Sequence, residues 1–231
     1  INEFLASNQT GIRDDDDEAV DWIELQNTGR NVVNLSGWSL TDDKQRPGRW
    51  TFPRVELGAG EFLVVFASGK NRRVAGEQLH TNFKLSSAGG YLGLFSPELP
   101  RKSVDKVLNY PEQRNNISLG LSGTDKLVYF IRPTPGAVNG RGRFEGILGR
   151  PKFSQKRGFF DEPFELELNS ADDVAVIRYT IAHSLQTLDN GQLYQSPIPI
   201  MKSTVIRAVA FRRGSLPSRT ETHTYVLGDS E

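Results

Sequence analysis

The densest chemical feature of the sequence is an acidic run, Asp14-Asp15-Asp16-Asp17-Glu18, with Asp21 close behind. Calcium takes several oxygen ligands, and carboxylates crowded onto one short loop can supply them. Asp15, Asp17 and Asp21 are the residues expected to hold the ion. An EF-hand loop needs a central Gly and a Glu at its twelfth position, and neither falls in register here. The competing reading is a solvated loop kept extended by repulsion between like charges. Apart from calcium the sequence suggests no cofactor.

The other reactive residue types do not assemble into a pattern. His80, His183 and His223 are far apart, and a zinc or histidine-based site needs converging partners, so all three read as ordinary surface histidines. Gly120-Leu121-Ser122-Gly123 falls one position short of a Gly-x-Ser-x-Gly nucleophile elbow, and Ser36-Gly37 lacks it altogether. Gly89-Gly90 precedes a strand-like run, so it cannot open a phosphate-binding helix. With no Cys there is no disulfide framework, thiol nucleophile or Cys-type zinc site. No residue is assigned a catalytic role.

Charge narrows the partners. The chain has 28 basic and 28 acidic side chains, and the balance holds separately in residues 1–149 (18 and 18) and 150–231 (10 and 10). Nucleic acid, which needs a basic surface, is argued against. The clusters Lys70-Asn71-Arg72-Arg73, Arg101-Lys102 and Arg212-Arg213 read as solubilising surface. No run of 18 apolar residues occurs, so no membrane insertion is expected. The first residue is Ile1 and the one Met is Met201, which reads as a mature or excised piece, covalently part of a longer chain.

The elements that must position these residues are strands. Ile1–Ala6, Trp22–Leu25, Trp38–Thr41, Tyr91–Phe95, Lys106–Tyr110 and Leu127–Ile131 are short extended runs, and Phe62–Ala67 is apolar throughout, as in a strand buried on both faces. Turn formers such as Asn27-Thr28-Gly29 and Pro47-Gly48 separate them. No stretch keeps a helical apolar period for three turns. Residues 132–150, rich in Gly and Pro, read as a linker whose Phe144, Ile147 and Leu148 pack down. A second series follows: Phe164–Leu168, Val174–Ile181, Thr204–Phe211 and Thr222–Val226, with hairpin turns at Asp189-Asn190-Gly191 and Arg213-Gly214-Ser215. The fold class is all-β, with a domain at 1–131, a linker at 132–150 and a domain at 151–231.

Several blocks in the first series, in order, carry a resemblance. They are Ile1–Phe4, Asp21–Asn27, Val33–Asp43, Trp50–Pro53, Leu57–Phe66 and Asn82–Ser86. Together they resemble a lamin-tail domain, an immunoglobulin-like β-sandwich. The resemblance implies that Trp22, Trp38 and Trp50 lie in the core. In the second series, Ile177-Arg178-Tyr179-Thr180-Ile181, Leu193-Tyr194, Ser196-Pro197-Ile198, Thr204–Phe211, Pro217-Ser218 and Tyr225 resemble the β-sandwich module at the C-terminal end of chitobiase-like proteins. That family's Asp-Gly turn and Pro-Thr pair are replaced by Ala182-His183 and Gln186-Thr187, so a ligand site at that hairpin tip is not carried over.

The tandem is similar to non-catalytic segments of large secreted bacterial (planctomycete-type) proteins. The function this implies is a binding or scaffolding segment of a secreted or cell-surface bacterial protein. It would contact a protein or polysaccharide partner and position a neighbouring domain. The alternative is a carbohydrate-binding accessory to a secreted hydrolase; a third reading is an enzyme with a cryptic site.

Overall fold

A computed structural model describes residues 1–123, 126–141, 143–181 and 190–228. The described residues form strands and turns with no helix, and the chain divides into two compact units, Ile1–Arg143 and Phe144–Glu231. The protein is all-β with two tandem immunoglobulin-like domains.

In the first unit, the larger sheet places Glu3–Leu5 between Trp22–Gln26 and Ser118–Leu121, all antiparallel. Phe62–Phe66 and then the parallel strand Leu79–His80 extend one side, and Leu127–Phe130 lies beyond Ser118–Leu121 on the other. A second sheet runs in the order Ser103–Tyr110, Gly90–Phe95, Ser39–Thr41, Trp50–Thr51.

The pleat explains the first unit's sequence pattern. Strand side chains alternate faces, and cross-strand partners share one, so Phe4, Ile23, Val65, Leu119 and Tyr129 form one row of a face. All five are buried. Glu3, Trp22, Glu24 and Phe66 belong to the opposite face and are buried too. Loops cover that second face. Ile12 and Val20, from the long connection after Leu5, pack on Leu5, Trp22 and Phe66. A half-polar strand is therefore buried on both sides, and its polar groups need partners from the covering loops.

Two expectations are corrected here. Trp22 and Trp50 are core residues, but Trp38 is only half-buried. Within Phe62–Phe66 only Val65 and Phe66 are buried.

In the second unit the main sheet has the order Gly158–Phe160, Glu221–Leu227, Thr204–Phe211, Val176–Ile181, Gln192–Leu193, with the first pair parallel. Two short ribbons, Lys152–Phe153 with Leu168–Asn169 and Phe164–Leu166 with Ile198–Ile200, complete it. Leu166, Leu168, Ile177, Ile198, Ile200, Ile206, Ala208 and Tyr225 form one core cluster, against which Phe160 and Phe164 pack. The alternating run Phe164–Leu168 is not one strand: it breaks at Glu167 and pairs with two different partners.

The Gly/Pro-rich segment 132–150 is tied down at both ends. Thr134, Gly136 and Asn139 bond within the first unit. Glu145 N–H donates to Gly214 and Leu148 N–H to Leu216 within the second. Buried acceptors and apolar side chains on this stretch hold what composition alone would leave free.

Candidate functional site

The acidic loop folds into a tight turn. Asp14 N–H donates to the Glu18 carbonyl (3.0 Å) and Asp17 N–H to the Asp14 carbonyl (2.9 Å). Asp17 takes a positive φ of 60° at the bend. The Asp14 carboxylate is buried and accepts the N–H groups of Asp16 and Glu18.

The carboxylates this turn gathers are not the three expected. Asp14, Asp16 and Glu18 converge, with ligand atoms within 4.8 Å of one another. Asp15 and Asp17 are exposed. Asp21 is held elsewhere, accepting the Asn8 N–H at 3.2 Å. Of the three that converge, Asp14 is buried and Asp16 and Glu18 are exposed.

The centre of the three carboxylates is occupied by the Lys70 ammonium, which bonds Asp14 and also Asp16 (2.6 Å) and Glu18 (2.7 Å). Arg72 adds a bond to Asp16 at 2.6 Å. Like charges therefore do not hold this loop open; cations from the Lys70-Asn71-Arg72 turn neutralise it. That turn is not free solubilising surface, and Asn71 at its bend has a φ of 55°. Burial opposes charge on both groups, but at Asp14 the Lys70 hydrogen bond and the turn N–H groups outweigh it and lower the carboxyl below its ordinary value, and at Lys70 the bonds to Asp14, Asp16 and Glu18 outweigh it and raise the ammonium above its own. Arg72 and Lys70 lower Asp16 to about 2.

His80 lies beneath this hub and is fully buried, so it is not a surface histidine. It stacks on Phe66 with ring centroids 5.3 Å apart. Its Nδ1 meets Ser68 Oγ at 2.9 Å and lies 4.0 Å from Asp14 Oδ2. Ser, His and Asp are together, but this is not a nucleophilic triad. A triad places the serine and the acid on opposite ring nitrogens; here both approach Nδ1, Nε2 has no hydrogen-bond partner among the described residues, and all three residues are buried. Burial, with Arg72 as a secondary cause, lowers the His80 pKa. Nothing in the sequence spacing points to this trio, because the pairing of Leu79–His80 with Phe62–Phe66 and the Lys70 bond to the Asp14 loop bring Asp14, Ser68 and His80 together.

A second polar cluster covers the other end of the same face. Glu3 accepts Ser118 Oγ–H, Thr134 N–H (3.1 Å) and Thr134 Oγ1–H (2.8 Å). Glu24 accepts Asn2 Nδ2–H (2.6 Å) and Gly136 N–H. Asn139 donates to the Leu121 carbonyl at 2.8 Å. Gly136 has φ +81°, which turns its N–H toward Glu24. Gly120 lies directly below: a Cβ there would sit 2.8 Å from the Asn2 carbonyl oxygen. Burial raises the pKa of both glutamates, partly offset by these donors, and Glu3 raises Glu24 further.

The remaining candidates do not converge on a reacting centre. Ser122 follows the strand Ser118–Leu121 and turns into Leu127–Phe130, not into a helix, so the elbow geometry is absent there. His223 is half-buried, stacked on Phe153 at 4.2 Å between ring centroids, and lies 3.2 Å from Tyr225 Oη. His183 and the replaced turn at Ala182, Gln186 and Thr187 lie outside the described residues. A cleft of about 360 Å³ beside Asn2 is lined by one acid, Asp105, and another of about 440 Å³ beside Met201 by Asp161 and Lys202. No helix among the described residues is long and apolar enough to cross a membrane.

Comparison with known families agrees with the fold. Residues 1–111 match the family model described as Lamin Tail Domain, and residues 155–222 match that described as Chitobiase/beta-hexosaminidase C-terminal domain. Both are β-sandwich modules of an accessory kind, not catalytic ones. No curated protein matches the chain.

Proposed function

We propose that the chain is a non-catalytic binding or scaffolding segment of a larger secreted or cell-surface bacterial protein, and that it engages a protein or polysaccharide partner while positioning a neighbouring domain. One observation carries the non-catalytic part. The buried acids and histidine, Glu3, Glu24, Asp14 and His80, are all engaged by hydrogen bonds or ion pairs within the fold. An active site keeps such groups at a cleft, with room for a reacting atom. Here they neutralise and fasten loops. The extracellular setting draws support from the chitobiase-type match, since that module takes its name from secreted-type hydrolases.

The carbohydrate-binding reading has its own support in the chitobiase-type match and in Phe159, which is 87% exposed on an edge strand. Affinity electrophoresis of the full chain through gels containing soluble polysaccharides separates the two. Retardation that Phe159→Ser abolishes favours sugar binding; unchanged mobility in every gel favours a protein partner.

A further inference from the structure

A third cleft, of about 430 Å³, opens on the first unit between the loop at Thr10–Ile12 and residues 131–135. Its volume is in the range of sites that take small ligands or chain ends. The walls are Ile12, Ile131, Pro133 and Pro135, with Trp22 at the floor. Ile131 is 52% exposed, a large aliphatic side chain left in water at the cleft rim.

Three polar side chains line it, Thr10, Asn116 and Arg132, and each offers a donor. Arg132 is exposed and has no carboxylate partner among the described residues. Asn116 is fixed in the left-handed region at φ 59°, with its Oδ1 bound by the N–H groups of Gln9 (2.8 Å) and Thr10 (2.9 Å). Its other polar atom, the Nδ2 donor, has no partner among the described residues. The cleft thus combines aliphatic and proline walls with a guanidinium and an amide donor, and no acid lines it. A complementary ligand is an anion joined to an aliphatic group. Sugar rings stack on flat aromatic faces, and the only aromatic ring here lies buried at the floor.

We propose that this cleft takes the free C-terminus of a partner polypeptide, its aliphatic last side chain against Ile12, Ile131 and the prolines and its carboxylate on Arg132 and Asn116. Capture of a terminal carboxylate by converging donors is a recurrent recognition mode, and the planar guanidinium suits a carboxylate's two oxygens. The proposal rests on the reading of the chain as a protein-binding segment and names the part of the partner that is bound.

The test is a titration of the full, isotope-labelled chain followed by amide and indole NMR shifts. The probes are acetyl-Gly-Gly-Val-Leu with a free carboxylate, the same peptide as its C-terminal amide, and 4-methylpentanoate. The free-acid peptide should give saturable shifts at Ile12, Trp22 and Ile131. The amide should bind about tenfold or more weakly, and Arg132→Gln should weaken the acid by a similar factor, since a charge-assisted hydrogen bond is being removed. Ile131→Ser should weaken acid and amide alike. Equal binding of acid and amide, shifts outside the cleft, or no saturation overturns the proposal. 4-Methylpentanoate binding as tightly as the peptide also overturns it, in favour of a small organic acid. None of these failures touches the non-catalytic reading, which is decided by turnover.

Discussion

Glu3 and Glu24 are direct cross-strand partners on the outer face of the larger sheet, and neither is exposed to solvent. Each reaches up to the segment after the last strand of the first unit, Glu3 to Thr134 and Glu24 to Gly136. Two buried carboxylates thereby fasten the stretch that composition marks as a linker. Glu24→Ala should destabilise the first unit by about 2–3 kcal/mol, because the Gly136 N–H and the Asn2 amide lose a charged acceptor. Urea unfolding followed by tryptophan fluorescence reads this unit alone, since Trp22, Trp38 and Trp50 all belong to it. Gly120→Ala should destabilise the same transition, by crowding the Asn2 carbonyl.

Asp21 makes the fold more stable in mild acid. Burial raises its carboxyl from 3.8 to about 6, despite the hydrogen bond from Asn8. The folded state then holds the proton more tightly than the unfolded one, so this group's contribution is full below its unfolded value and is lost as pH rises through about 6. Between pH 7 and pH 4 the urea midpoint of the first unit should rise, and Asp21→Asn should flatten that rise. A midpoint for Asp21→Asn that follows the wild-type slope would assign the effect elsewhere.

Lys70 supplies the cation of the acidic loop from within the chain. Lys70→Met leaves the buried Asp14 carboxylate without its partner, and a loss of about 3 kcal/mol is expected. Arg72→Ala, whose ion pair with Asp16 is more exposed, should cost far less than Lys70→Met. With the ammonium in place, the wild-type melting temperature should not differ between excess EDTA and millimolar calcium. A calcium-dependent rise would show that a metal displaces or supplements Lys70.

The second unit offers a contrast between buried and exposed apolar residues. Leu166 is fully buried in its core cluster, and Leu166→Ala should cost about 2–5 kcal/mol. Phe159, 87% exposed, should tolerate Phe159→Ser with little loss. Calorimetry of the full chain checks both.

Most strands that alternate or run apolar were legible in the sequence, although the alternating run Phe164–Leu168 splits between two ribbons. Thr204–Phe211 has the bounds its residues suggest, and Trp22–Gln26 extends its run by one residue. Ser118–Leu121 was not legible, because a Ser-Leu-Gly-Leu run lacks β-branched residues, and its place depends on pairing with Glu3–Leu5. The acidic loop was visible as chemistry, but its geometry was not. Which carboxylates converge depends on a turn closed by the buried Asp14 and on Lys70, 56 residues away. Likewise His80 reads as an ordinary surface residue until the parallel pairing of Leu79–His80 with Phe62–Phe66 brings it beneath the covering loops.

The most direct measurement is release of new reducing ends from chitin, cellulose, xylan and bacterial cell wall incubated with the full chain. A non-catalytic segment releases none above buffer at any protein concentration. Release that rises in proportion to the protein and survives repurification would contradict the central claim and place a reacting site on these two modules.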